Sequence, residues 1–239
     1  MNELLSIAVQ AHGGLDRWNQ LSRLQAELSI TGGLWHVKGK PDVLKHVTFK
    51  AHTQDQHMSV GPFSAQDLRG FFEPGCLSLT DASDQLVAQR DNPRMLFIGH
   101  KADTPWDDLH VAYFSNYALW CYLTAPFLYT YPGFVTEELS PWEDSGEQWR
   151  RLKITFPEHF ASHCEEQISY FGADGLLRRH DYEVEILGGS KAAHYVSEYR
   201  DFDGIKVPTQ RRVYRRGEQG QKIPEPLLVG IDVQSLMFS

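Results

Sequence analysis

From Leu24 to Ile30 apolar and polar side chains alternate without a break. Leu24, Ala26, Leu28 and Ile30 fall on one side, and Gln25, Glu27 and Ser29 on the other. A period of two belongs to a strand with one buried face. Shorter stretches with strand character follow at 35–39, 44–52, 56–60, 68–72, 76–80 and 85–89. Gly32-Gly33 and the run Thr80-Asp81-Ala82-Ser83-Asp84 supply turn chemistry between them. After about residue 149 the chain returns to strands, and two Asp-Gly pairs, Asp174-Gly175 and Asp203-Gly204, punctuate them. Asp-Gly between alternating segments predicts hairpins, pairing 165–171 with 176–186 and 195–201 with 205–215. A final strand is expected over 227–233.

Two segments keep helical spacing instead. Residues 3–11 place Leu4, Leu5, Ala8 and Val9 on one side and run into His12-Gly13-Gly14, where glycine can stop a helix. Between 105 and 131, Trp106, Leu109, Tyr113, Tyr117, Trp120, Leu123 and Phe127 recur three or four residues apart. Thr104 is the expected cap, Pro105 suits the first position, and Asp107 and Asp108 suit the first turn. Pro126 must end or kink this helix. No linker splits the chain, so 1–239 reads as one mainly β domain (α+β), an antiparallel meander with an N-terminal helix and one long aromatic-rich helix.

Charge and composition narrow the function. A net charge of −8 excludes the concentrated basic surface that nucleic acid requires. The one basic cluster is Arg211, Arg212, Arg215 and Arg216, read as a solvated strand face or, alternatively, an anion site. Nothing approaches the roughly 20 apolar residues of a membrane span. Three cysteines without CxxC spacing form neither a disulfide framework nor a zinc ribbon. With an acidic N-terminus unlike a signal peptide, they point to a cytoplasmic protein.

No nucleotide, hydrolase or zinc-protease motif is present, and no cofactor is implied. His159, His163 and Cys164 have metal-ligand chemistry, but after Pro157 they read as a loop, and no metal site is expected. Alternation places His180 and Tyr182 on one face of a strand, and Glu166 on the apolar face of its partner. If both faces point inward, Glu166, His180 and Tyr182 are candidates for acid–base catalysis. The aromatic stripe reads either as core or as the lining of a cavity. In the second case Trp35, His110, Tyr113, Tyr117, Trp120 and Phe127 would touch an apolar ligand.

Ala11-His12-Gly13-Gly14, the segment 170–182 with its Asp174-Gly175-Leu176-Leu177 turn, and Asp203-Gly204-Ile205 together resemble the LolA- and LolB-like lipoprotein-localisation carriers. The resemblance is one of fold rather than of the transport role. It implies a curved, incomplete antiparallel barrel, with helices covering a cavity that accepts acyl chains. The expected activity is therefore binding of a hydrophobic small molecule or acyl chain. The alternatives are a cofactor-independent isomerase, cyclase or hydrolase using the same cavity, and an interaction module with open strand edges. The sequence identifies no protein partner.

Overall fold

The computed structural model describes residues 2–239. Its first half contains strands β1 (Arg23–Thr31), β2 (Val47–His52), β3 (Met58–Phe63), β4 (Leu68–Glu73), β5 (Cys76–Thr80) and β6 (Leu86–Asp91). The second half contains β7 (Val135–Asp144), β8 (Glu147–Thr155), β9 (Glu166–Phe171), β10 (Leu177–Val184), β11 (Ser190–Phe202) and β12 (Ile205–Arg216). The short β13 (Lys222–Ile223) and the terminal β14 (Val229–Phe238) follow. All belong to one antiparallel sheet, ordered β6-β5-β4-β3-β2-β1-β14-β12-β11-β10-β9-β8-β7, with β13 beside β12.

This order has a consequence for the long helix. Each half is a meander of neighbours, and β14 joins them in the middle by pairing with β1 and β12. The free edges are therefore β6 and β7, which are consecutive in sequence. The chain must cross from one edge to the other, and it does so through α4 (Asp108–Thr124). Every residue from Leu109 to Thr124 is buried. A helix apolar on all sides is one enclosed on all sides. One side meets β4, where Asn116 Nδ2 donates to Gly70 O at 3.1 Å. Another meets the opposite half, where Arg211 of β12 donates to Tyr122 O at 2.6 Å. The sheet thus wraps around α4 without closing.

The aromatic helix accordingly covers the concave face of the half-barrel, as expected, and fills it. Its limits differ from 105–131. Asp107, not Thr104, caps it, accepting from His110 N at 3.0 Å. Pro126 holds Ala125 in extended conformation, and the chain resumes as a 3₁₀ turn over Phe127–Thr130. Close approach of helix to sheet depends on Gly70, where a Cβ would lie 2.5 Å from that of Ala112. Gly70→Val is expected to cost about 1–3 kcal/mol by overpacking. A urea midpoint equal to wild type would contradict this packing.

The helices α1 (Glu3–Ala11), α2 (Leu15–Trp18) and α3 (Gly33–Val37) complete the fold. Segment 35–39 was expected as a strand, but it belongs largely to α3, which follows the turn at Gly32. There φ is +121°, and a Cβ would meet Leu228 O at 2.4 Å. Strand β7 has no apolar alternation to announce it, because as an edge strand it is mostly exposed and carries Pro141 at a register shift. Both predicted hairpins form. At Asp203-Gly204 both residues have positive φ, 54° and 88°, as a two-residue turn requires. At Asp174-Gly175 only the glycine does, because the connection is longer. The two hairpins pack against the end of α1. Lys206 N donates to His12 O at 2.9 Å, and a Cβ on Gly175 would crowd Ala11 at 2.9 Å.

Candidate functional site

Between α4 and the sheet lies an apolar cavity of about 70 Å³. From the helix, Phe114, Ala118 and Leu119 line it; from the sheet, Ile30, Val184 and Ile231. Trp35 of α3 closes one side. The half-buried Leu34 and Leu228, with Lys191 and the exposed Ser190, form the rim nearest solvent. The volume is below the roughly 150 Å³ that holds a benzene ring in a protein interior.

Three rings that carry polar atoms, Tyr122, His163 and Tyr182, complete the lining. Tyr117 Oη lies 3.0 Å from His163 Nδ1, and Tyr122 Oη lies 2.6 Å from His163 Nε2. Tyr122 Oη is also 2.6 Å from Tyr182 Oη. His163 stacks on Tyr182 with ring centroids 4.1 Å apart. Burial, reinforced by His180 and Arg94, drives the His163 pKa well below its ordinary value, so the imidazole is neutral. One of its nitrogens donates and the other accepts, which lets the three phenols and the imidazole satisfy one another in a single chain. Burial also raises the pKa values of Tyr117, Tyr122 and Tyr182.

Behind Tyr122 lie His180, His194 and Arg211. The Tyr122 ring is 4.4 Å from that of His194 and 6.4 Å from that of His180. Burial first, and the Arg211 charge second, lower His180 to about 3 and keep His194 neutral as well. Arg211 is 2% exposed, so the reading of the basic cluster as a solvated face fails at this residue. It shares the inward face of β12 with Val207, Thr209 and Val213.

Solved structures carry the same architecture over nearly the whole chain. A DUF1329 family protein from Desulfovibrio piger aligns over 99% of this chain and 92% of its own, with a TM-score of 0.52 and 13% identity. A LolA superfamily protein from Nitrosomonas europaea aligns over 98% and 92%, with a TM-score of 0.54 and 7% identity. The chain has a LolA-like fold. No protein-family model matches the sequence, and no curated protein is significantly similar to it. At these identities the likeness concerns the LolA-like fold alone.

Within this LolA-like fold the residues nominated from sequence take different places. Trp35 lines the cavity. Tyr117 anchors the lining rings through His163. Trp120 is fully buried and donates to His52 O at 2.9 Å, tying α4 to β2. Phe127 stacks on Trp18 at 4.3 Å. Tyr113 packs against Phe72 and Phe97. His110 caps α4 with Asp107, its Nδ1 2.6 Å from Oδ1. His180 and Tyr182 point inward as expected, but Glu166 does not. Its side chain is 63% exposed and 3.6 Å from Lys153 Nζ. On β9 it is Gln167, Ser169 and Phe171 that face the interior. Tyr170 is buried on the outer face, under Trp142 and Trp149. With both faces of the strand covered, apolar residues no longer mark the inward side.

Sequence reasoning missed Phe114, Tyr122, His194 and the burial of Arg211. Parity with Val213 was the available signal for Arg211. For metal, the structure brings together His52, Asp55 and His57 on the surface, with both Nδ1 atoms 2.9 and 2.7 Å from one Asp55 oxygen. That geometry is a carboxylate bridging two imidazoles. His163, a metal-ligand type in the sequence, is engaged by Tyr117 and Tyr122.

Proposed function

We propose that this protein binds an apolar small molecule or acyl chain within the half-barrel. The observation that carries this reading is the apolar cavity between α4 and the sheet, bounded on its inner side by hydrogen-bonded phenols and imidazole. A core built only for stability has little use for three polar rings beside a void. The LolA-like fold supports the same reading through the resemblance to acyl-chain carriers. Binding of a whole chain requires the cavity to enlarge by parting Leu34 and Leu228 at its rim. The proposed setting is cytoplasmic. The three thiols Cys76, Cys121 and Cys164 are all unpaired, as a reducing compartment leaves them. No described helix is long and apolar enough to cross a membrane.

A catalytic role for the same groups draws less support. Acid–base work near pH 7 needs a pKa near 7. His180 is lowered to about 3, and burial moves Tyr182 away in the other direction. These groups orient hydrogen bonds better than they move protons.

The test is binding of a neutral fluorescent probe, N-phenyl-1-naphthylamine, to wild type and to Ala118→Phe. The added ring fills the cavity at a stability cost of about 1–3 kcal/mol, which a folded domain tolerates. Affinity is expected to fall by about tenfold or more, equivalent to about 1.4 kcal/mol. A folded variant with wild-type affinity would remove this cavity from the reading. Native mass spectrometry of protein from its own host, followed by denaturing release, should show the bound apolar species.

A further inference from the structure

Arg211 is buried, and no carboxylate of the described residues lies within ion-pair distance of it. Its Nη2 donates to Tyr122 O, while its Nε has no partner. Beside it, both ring nitrogens of His194 and Nε2 of His180 are also buried without partners. The rings of His180 and His194 are 6.4 Å apart, and the Arg211 guanidinium sits 5.7 Å from the Tyr122 ring. Buried polar groups are almost always satisfied, and a buried charge is retained where something pairs with it. Three unpartnered imidazole nitrogens beside one unpaired guanidinium, whose own Nε is also free, form a site with N–H donors and no anion.

The position of this site relates it to the cavity. Tyr122 bridges the two, since its ring lines the apolar space and packs against His194 on its other side. Val213, two residues from Arg211 on the same face of β12, also lines the cavity. Arg211, His180 and His194 lie behind the Tyr122 ring and do not line the apolar space, so an anion at Arg211 becomes the polar end of an apolar molecule once that ring turns aside.

We propose that the ligand is an apolar carboxylic acid, with its carboxylate held by Arg211, His180 and His194 and its chain lying along Phe114, Leu119 and Ile231. This rests on the reading of the cavity as a binding site and adds the chemical class of the ligand. A carboxylate suits the guanidinium because it can accept two parallel N–H bonds. The imidazoles, neutral and aimed inward, each offer one more donor.

The experiment is isothermal titration of the full-length protein with octanoate, 1-octanol and acetate, on wild type and on Arg211→Met. Octanoate is expected to bind at least about tenfold tighter than octanol, the yield of one or two charge-assisted hydrogen bonds. Acetate should bind negligibly. Arg211→Met should keep the octanol affinity and lose the preference. Equal binding of octanoate and octanol by wild type overturns the carboxylate assignment and leaves the apolar cavity standing. Acetate binding as tightly as octanoate overturns it in favour of a small-anion site. No binding of either eight-carbon ligand removes both the assignment and the reading beneath it. The wild-type comparison needs no variant, and Arg211→Gln provides a second variant should the methionine protein not fold.

Discussion

Between pH 7 and pH 5 the protein is expected to lose most of its stability. His12, His163, His180 and His194 are all buried. Burial is the first cause in each case, lowering His12 to about 4 and His180 to about 3, and His163 and His194 well below their ordinary value. In the unfolded chain each titrates near 6.5. Above that value neither state binds the proton, and the four contribute nothing to pH dependence. Below it the unfolded state takes up protons that the native state refuses, so stability falls as pH falls. The slope approaches about 1.4 kcal/mol per pH unit for each histidine and levels off only once the folded pKa is passed. Four such groups carried from 6.5 to 5 amount to about 8 kcal/mol, against a typical total of about 5–15 kcal/mol. Urea unfolding at pH 7.5, 6 and 5 measures this directly, and midpoints that do not move would show that these imidazoles are not buried neutral. His194→Phe should remove about a quarter of the slope. It should also be more stable than wild type at pH 5, since both nitrogens of His194 lack partners.

The second large effect lies on the outer face of β10. Arg179 and Asp181 are fully buried there and meet through two bonds, Nε to Oδ1 at 2.6 Å and Nη2 to Oδ2 at 2.7 Å. Tyr170 donates to the same carboxylate at 2.8 Å. The guanidinium lies among Trp142, Tyr170 and Tyr195, 5.0–5.7 Å from each ring. Such a pair gains little over an apolar replacement, but removing Asp181 leaves the buried Arg179 charge only the longer contact to Asp144 at 3.6 Å in place of two short charge-assisted bonds. Asp181→Ala is therefore expected to cost about 3–5 kcal/mol, a fall in Tm of about 10 °C for a domain of this size. Arg179→Met combined with Asp181→Leu should cost less than Asp181→Ala alone, because the charges that lose a partner, Asp144 and Arg216, are the more exposed ones and no fully buried charge remains. A double variant as unstable as the sum of its single changes would mean that the two side chains act independently.

Much of the architecture could be read along the chain because it depends on neighbours in sequence. The alternation of Leu24, Ala26, Leu28 and Ile30 produced β1 as expected, with all four on the buried side. Asp203-Gly204 formed its turn because backbone sterics at two adjacent residues decide it. The existence of α4 followed from the spacing of its aromatic residues and its acidic first turn. What these residues do in the molecule was less accessible. Tyr113, Tyr117 and Trp120 form a stripe on paper, but α4 has no outer face, so Phe114 and Tyr122 on its other sides reach the cavity instead.

What the sequence alone determined is the set of elements whose conformation is settled within a few residues: one mainly antiparallel chain, its central hairpins and its long helix. Only the tertiary structure decided that α4 lies within the curve of the sheet, since that follows from β6 and β7 becoming its two free edges. It likewise decided that Glu166 points to solvent. The outer face of β9 is covered by Trp142 and Trp149, and a strand buried on both sides loses the alternation that reveals its direction. Arg211 follows the same logic. Its charge predicts solvent, but its parity on β12 places it inside, against α4, where Tyr122 O accepts from it.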